Sequence, residues 1–142
     1  MSESWASSEH SRRAMQANRS RDTGPELAVR QLLHARGLRY RVDVRPLLTL
    51  RRKADIVFTR AQVAVFIDGC FWHGCSEHFV MPKANARYWE GKINRNRQRD
   101  AETDLRLAQA GWAALRYWEH EPPAEVAAAI EEAVRVARLR RR

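Results

Sequence analysis

Two cysteines and a histidine lie within one short segment at a spacing that suits a metal ion. Cys70, Cys75 and His78 form a C-x4-C-x2-H pattern, and a single loop can bring three such ligands onto one Zn²⁺ ion. The competing interpretation is a pair of ordinary buried thiols beside a surface histidine. Two cysteines placed among histidines fit metal binding in a reducing compartment better than a disulfide, so we expect a structural zinc site.

A tetrahedral zinc site needs a fourth ligand, and the sequence offers one good candidate. Four histidines lie outside that pattern: His10, His34, His73 and His120. Only His120 follows a convincing second apolar strand, residues 113–118. If that strand lies in the same sheet as the apolar run before Cys70, His120 is brought beside the loop.

Two aspartates indicate a second kind of metal site. Asp55 lies within an apolar run at 54–58, and Asp68 closes another at 64–67, with a turn between them. In a hairpin of these two strands, Asp55 approaches the end at Asp68. Two adjacent carboxylates suit a hard cation such as Mg²⁺. The alternative is a strand-edge aspartate that pairs with the basic run before it.

A pair of bulky aromatic residues lies between the two cysteines. Phe71 and Trp72 are followed directly by His73. The loop is short and polar, and it offers no core for these rings to enter. We therefore expect the pair to be either the lid of a cavity or a wedge presented to a partner.

The composition favours a polyanionic partner. The chain has 142 residues, with 26 Lys and Arg against 17 Asp and Glu, and a formal charge of +9. Such an excess most often serves nucleic-acid binding, and a generally basic protein is the alternative.

The length of the chain suits one domain. No apolar run has membrane-spanning length or the form of a signal peptide, so we expect a soluble, cytoplasmic protein without membrane contact.

Two basic segments are candidates for contacts with phosphate groups. An arm at 12–22 places four arginines around Met15, an arrangement in which the arginines track phosphates and the methionine touches bases. The first half of a long polar helix is also basic, with Lys92, Arg95, Arg97 and Arg99. For charge runs of this kind, a solvated surface is the alternative.

Periodicity and helix-breaking residues predict strands separated by helices. A helix opens with a T-x-x-E capping box from Thr23 to Glu26, and Gly37 ends it. Asn85 caps the long polar helix, which runs to Gly111. The remaining expectations are a disordered segment at 1–11, strands at 38–44, 54–58, 64–68 and 113–118, and a last helix at 124–139.

Five segments of the chain carry motifs that occur together in one protein family: Met15–Thr23, Ala54–Phe58, Val65–Cys75, Tyr88–Asp100 and Gly111–Glu119. The Gly-Cys-Phe-Trp-His motif at 69–73 is far more specific than any single metal-ligand spacing. Together, and in this order, the five motifs resemble those of the very-short-patch-repair (Vsr) DNA mismatch endonucleases.

The resemblance implies a restriction-endonuclease-like fold of the PD-(D/E)xK type. In this α/β fold, a single domain at 12–142 has a central mixed sheet flanked by helices, together with a structural zinc. The resemblance also implies a monomer that uses Mg²⁺ to nick double-stranded DNA next to the T of a T:G mismatch, the product of 5-methylcytosine deamination. Other mismatch-repair proteins are further expected partners, and the setting is the bacterial cytoplasm.

The resemblance assigns catalytic roles residue by residue. Asp55 matches the catalytic metal-binding aspartate, and the backbone carbonyl of Ile67 would be a second ligand. His73 matches a histidine near the scissile phosphate. Glu26, which its spacing alone favours as a helix cap, matches the glutamate of the first helix. Asp68 stands where the best-known relative has a histidine, so either Asp68 or His73 would handle the proton.

A further set of residues is placed at the DNA by the resemblance. Phe71, Trp72 and Trp89 match aromatic residues that enter the base stack, and Met15 matches an arm residue that enters from the other groove. The full set is Met15, Arg19, Arg21, Phe71, Trp72, Trp89, Lys92, Asn96 and Arg99.

The chain also departs from the family pattern. Ala54 replaces the usual proline before the catalytic aspartate, and the zinc ligand types differ from those of the best-known relative. Two alternatives stay open: a zinc-containing DNA-binding protein of the same fold without nuclease activity, and a ribonuclease or broader-specificity DNA-nicking enzyme. The presence of Asp55, Asp68 and His73 favours the enzyme.

Overall fold

Three helices and four strands make up the regular structure of the described residues. The computed structural model describes residues 24–69 and 81–141. In chain order the elements are α1 (Gly24–Ala35), β1 (Arg41–Val44), β2 (Ala54–Phe58), β3 (Val63–Asp68), α2 (Ala86–Gln109), β4 (Ala113–Trp118) and α3 (Pro123–Arg140). The predicted strands at 54–58 and 113–118 have those bounds, whereas the strand predicted at 38–44 is reduced to β1. Within the two described ranges, no helix combines the length and apolar character that crossing a membrane requires.

The strands form one mixed sheet in the order β1-β2-β3-β4. β1, β2 and β3 are antiparallel neighbours, whereas β3 and β4 run parallel. Parallel neighbours need a long crossover connection, and the chain between β3 and β4 contains α2. The carboxyl ends of β3 and β4 therefore lie at the same edge of the sheet, with Asp68 opposite Trp118. The predicted mixed sheet flanked by helices is confirmed.

Both faces of the sheet pack against helices. The first core cluster joins α1 and α3 to one face and includes Val29, Leu33, Ile56, Val65 and Ile130. The second cluster joins α2 to the opposite face and includes Val57, Ala64, Phe66 and Leu107. Successive strand residues point to opposite faces, so Val65 and Phe66 belong to different clusters. Burial on both faces explains why β3 is a continuous apolar run.

Glycines follow α1 and α2 at the predicted positions. Gly37 and Gly111 have φ angles of +86° and +85°, in the left-handed region that glycine adopts without steric cost. After α1, the N–H of Leu38 donates to the carbonyl of Leu33 at 3.1 Å. This bond is the Schellman arrangement, which satisfies a carbonyl that the helix itself leaves open.

The start of α2 differs from the prediction. The side chain of Asn85 makes no capping hydrogen bond, and its backbone lies in the left-handed region at φ 59° and ψ 39°. Its carbonyl accepts the N–H of Trp89 at 3.1 Å. Asparagine tolerates this backbone conformation better than most residues, so Asn85 turns the chain into the helix rather than capping it. Thr23, the capping partner predicted for Glu26, lies outside the described residues.

Candidate active site

The antiparallel pairing of β2 with β3 ends at a carboxylate. The observed pairs end with Ile56 opposite Val65. Beyond them, Oδ2 of Asp55 accepts the backbone N–H of Ile67 at 2.6 Å. As the predicted hairpin requires, Asp55 lies at the Ile67 end of β3.

The backbone carbonyl of Ile67 lies on the same side of β3 as Asp55. The carbonyl of Asp68 accepts the N–H of Glu119 at 3.0 Å, so the carbonyl of Asp68 faces β4. The N–H of Ile67 faces the other way, toward Asp55. In an extended strand, the N–H and C=O of one residue point to the same side. The Asp55 carboxylate and the Ile67 carbonyl therefore form a pair of oxygen donors at this corner of the sheet.

Asp55 lies among other acidic side chains in a largely buried place. The pKa of Asp55 is raised to about 7, chiefly by burial. The hydrogen bond from the Ile67 N–H lowers the pKa, whereas the negative charges of Glu26, Asp68 and Asp43 raise it further. Glu26 and Asp68 are themselves buried, with 8% and 9% of their surface exposed. Because like charges at close range oppose ionisation, this cluster favours either a proton on Asp55 or a bound cation.

Asp43 is a further member of this cluster that was not predicted from the sequence. The regular pairs on either side of it in the β1–β2 ladder place it opposite Asp55. Its φ angle is 52°, which is uncommon for a residue other than glycine, and Nζ of Lys53 is 3.9 Å from its carboxylate. The sequence shows Asp43 within a predicted strand, but it does not show the register that brings Asp43 to Asp55.

The donor atoms at this corner fit a hard cation. Within residues 24–69 and 81–141, no group of three or more His, Cys, Asp or Glu side chains is arranged to hold a metal ion. Mg²⁺, however, is commonly bound through one or two carboxylates together with water and substrate phosphates. Asp55 and the Ile67 carbonyl are a donor pair of that kind, beside the negative charge of Glu26.

The raised pKa of Asp55 predicts how stability depends on pH. A carboxyl group whose pKa is higher in the folded protein than in the unfolded chain stabilises the fold fully when the pH is below its pKa in the unfolded chain, which is about 4 for aspartate. That stabilisation is lost as the pH rises through the pKa in the folded protein. In buffer without Mg²⁺, we expect the melting temperature to fall between about pH 4 and pH 7, and Asp55→Asn to remove most of that fall. Calorimetry across this range measures both proteins, and superimposable pH profiles would contradict the prediction.

An arginine holds Asp68 on the face of the sheet that packs against α2. Nη1 of Arg116, in β4, lies 3.1 and 3.2 Å from the two carboxylate oxygens of Asp68. Both oxygens therefore already accept hydrogen bonds, which makes Asp68 a weaker candidate for proton transfer than its position in the sequence indicates. Arg116 was not predicted as a site residue, because one arginine inside an apolar strand gives no sign of its partners.

The described residues include one of the four predicted zinc ligands. His120 is exposed and lies two residues beyond β4, at the edge of the sheet where β3 also ends, as the strand-pairing argument predicts. The zinc set itself stays a prediction. The other predicted site residues outside the described ranges are Met15, Arg19, Arg21, Cys70, Phe71, Trp72, His73, Cys75 and His78.

Four of the predicted DNA-binding residues belong to α2. Arg99 is exposed, and Lys92 and Asn96 are partly buried. Trp89 is only 1% exposed, and its ring meets the half-exposed Tyr88 edge-on, with 5.0 Å between the ring centroids. The resemblance predicts that Trp89 enters the DNA stack. Since its indole is packed inside the protein here, that role requires its surroundings to open.

One protein family and several known proteins are similar to this chain. The family described as DNA mismatch endonuclease Vsr matches residues 5–78. The Type II nicking enzyme V.NaeI of Lentzea aerocolonigenes is 49% identical over 122 residues, which cover 83% of this chain and 72% of that protein. The Type II nicking enzyme V.NmeDIP of Neisseria meningitidis serogroup C is 41% identical over 115 residues, 80% and 76% of the two chains. The DNA mismatch endonuclease Vsr of Escherichia coli strain K12 is 34% identical over 106 residues, 74% and 66% of the two chains.

Proposed function

The chain belongs to the Vsr family of DNA mismatch endonucleases, and we propose that it nicks one strand of double-stranded DNA next to the T of a T:G mismatch. Such a mismatch arises when 5-methylcytosine is deaminated. The general activity is that of a DNA endonuclease, which hydrolyses phosphodiester bonds. The observation that carries the cutting activity in this proposal is the contact between Asp55 and the Ile67 N–H, because it gathers the oxygen donors at one corner of the sheet. The T:G target is proposed from membership of the family.

The finer fold that we propose is restriction-endonuclease-like, with a structural zinc. Its support is an antiparallel β2–β3 pair with carboxylates at its open end, beside a parallel β4 reached through α2. Zinc bound by Cys70, Cys75, His78 and His120 would fasten the segment after β3 to the end of β4. The common edge at which these two strands end supports that ligand set.

Asp55 and the Ile67 carbonyl would hold the catalytic Mg²⁺. When bound, this ion would activate water and stabilise the charge that develops on the phosphate. The Ile67 N–H fixes the orientation of the Asp55 carboxylate, and the negative charge of Glu26 favours a cation there. His73 is the better candidate for proton transfer, because both oxygens of Asp68 accept hydrogen bonds from Arg116.

The mismatch would be recognised by an aromatic wedge, Phe71 and Trp72. A T:G pair is weakly stacked, so its separation from a neighbouring pair costs less than the opening of a matched step. Stacking of a base on an aromatic ring contributes about 1–3 kcal/mol. We expect Trp72→Ala to weaken binding to a T:G duplex by about 5- to 150-fold, while binding to matched DNA through the basic first half of α2 changes little.

Trp112 offers a matched control for the wedge. It is partly buried and packs against the second core cluster, so Trp112→Ala should lower the melting temperature and leave the preference for the mismatch unchanged. Melting temperatures and affinities for T:G and matched duplexes, measured without Mg²⁺, separate the two cases. A Trp72→Ala protein that is destabilised yet keeps its preference would refute the wedge.

Nicking that needs no mismatch is the second candidate function. V.NaeI and V.NmeDIP are both named as Type II nicking enzymes, and those names specify nicking without mentioning a mismatch. Duplexes labelled on each strand, with a T:G pair, another mismatch or none, test the proposal in Mg²⁺. The proposed function requires cutting of the T strand in the T:G duplex. Equal cutting of the matched duplex would establish the second candidate instead, and no cutting would leave a DNA-binding protein.

A further inference from the structure

A partly buried arginine on β4 joins β3 to α2. Nε of Arg116 donates to both carboxylate oxygens of Asp104, at 2.9 and 3.0 Å. Its Nη1 contacts Asp68 at 3.1 Å and lies 3.6 Å from Asp100. The guanidinium also lies over the ring of Phe66, 4.2 Å from its centroid. With 19% of its side chain exposed, Arg116 contacts three carboxylates and an aromatic face.

The charge and shape of arginine both matter here. Burial would lower the pKa of Arg116, but the charges of Asp68, Asp100 and Asp104 raise it overall. The guanidinium is therefore charged and offsets part of the negative charge around it. Its planar fork donates in several fixed directions at once. A lysine ammonium is a compact point charge and cannot serve Asp104 and Asp68 with the same geometry.

The partners of Arg116 belong to two elements that the proposed reaction needs. Asp100 and Asp104 are four residues apart on α2, which places them on one face of the helix. Earlier in α2 lie the predicted DNA contacts, Lys92, Asn96 and Arg99. Asp68 ends β3 directly after Ile67, whose N–H orients Asp55. One side chain thus links the helix expected at the DNA to the strand end that carries the active site.

We propose that Arg116 is a positioning residue of the nicking reaction, which fixes the Asp68 carboxylate and fastens α2 to the catalytic end of β3. This inference rests on the proposed function. If Arg116 is removed, its three carboxylate partners would repel one another in a partly buried place. Both the Asp68 carboxylate, which lies beside Asp55, and the helix α2 would then shift. DNA would still bind, because the basic residues of α2 remain. The chemical step would slow, since a misplacement of about 1 Å can cost on the order of 100-fold in rate.

The test separates rate from affinity and asks whether Arg116 acts through Asp68. Arg116→Met, Asp68→Asn and the double variant are compared with the wild type for single-turnover nicking at saturating T:G duplex, for duplex affinity and for melting temperature. We expect Arg116→Met to lower the nicking rate by on the order of 100-fold while the affinity stays within about 3-fold. We expect the double variant to be no slower than the slower single variant, because the two residues act as one unit.

Arg141 provides a matched control. It too joins separate elements, since its Nε donates to the carbonyl of Ala61 at 3.1 Å and its Nη2 to that of Gly111 at 2.8 Å. Both contacts lie at the end of β3 opposite Asp68. Arg141→Met should lower the melting temperature without changing the nicking rate.

A conservative variant keeps the inference testable if Arg116→Met fails to fold. Arg116→Lys retains the charge, and we expect it to fold and to lose part of the nicking rate. Three results would overturn this inference and leave the proposed function standing. The first is a nicking rate in the double variant that equals the product of the two single losses, and the second is a full nicking rate in Arg116→Lys. The third is an equal loss of nicking rate in Arg116→Met and Arg141→Met. Absence of nicking by the wild type would overturn the proposed function and this inference with it.

Discussion

Asp55→Asn should abolish nicking while the protein stays folded and continues to bind DNA. The substitution removes one oxygen of the proposed metal site, and its charge, from the corner of the sheet where Asp55 meets Ile67. Charge stabilisation by a catalytic metal ion is worth several kcal/mol, and each 1.4 kcal/mol or so corresponds to a factor of ten. We therefore expect the single-turnover rate on a T:G duplex to fall by on the order of 1000-fold or more.

Two further measurements make the Asp55→Asn result specific. Because the pKa of Asp55 is raised by burial, the neutral amide should keep or increase the melting temperature in Mg²⁺-free buffer at neutral pH. Glu132→Gln is the matched control, since that carboxylate is exposed and pairs with Arg135 on the surface of α3. Turnover by Asp55→Asn at the wild-type rate would contradict the proposal that Asp55 binds the catalytic metal ion.

Loss of zinc should cause the second large effect, a fall in thermal stability. The proposed ligands come from the segment after β3 and from the end of β4, so the metal would join parts of the chain that are distant in sequence. Zinc binding in small domains contributes about 10–16 kcal/mol to folding, and each kcal/mol corresponds to about 2–4 °C for a domain of this size. Even partial coupling predicts that Cys70→Ser lowers the melting temperature by on the order of 10 °C.

Elemental analysis of protein purified without chelator measures the zinc directly. We expect one zinc ion per wild-type chain and little in Cys70→Ser. His34→Ala is the matched control, since His34 is an exposed histidine in the last turn of α1, and it should retain the metal. Absence of zinc from the wild type, or an unchanged content in Cys70→Ser, would contradict the ligand set.

The strands at the centre of the sheet could be predicted because their sequences leave little choice. β2 and β3 are apolar runs separated by a short turn, which predicts that they form a hairpin. The hairpin in turn predicts that Asp55 lies near the Ile67 end of β3. Gly37 and Gly111 likewise mark the ends of helices, since each occupies a backbone conformation that other residues rarely adopt. These predictions depend on local chemistry.

The parts that were missed depend on register and on contacts between distant elements. Asp43 joins the acidic cluster only because of the β1–β2 pairing. Arg116 finds its partners 12 and 48 residues away, and no local pattern reveals such pairs. For Trp89, the sequence left a place in the core, an interface and a stacking surface all open, and the structure buries its ring. Asn85 showed the right residue type for a cap but uses its backbone instead.

Sequencing of nicks in a pool of duplexes tests the central claim most directly. The pool carries one T:G pair within randomised flanking sequence, and a second pool has a matched pair at the same position. With Mg²⁺, we expect the wild type to cut the T strand next to the mismatched T within a subset of flanks, and Asp55→Asn to cut neither pool. Cutting of the matched pool at an equal rate, or nicks that do not map next to the mismatched T, would contradict the account.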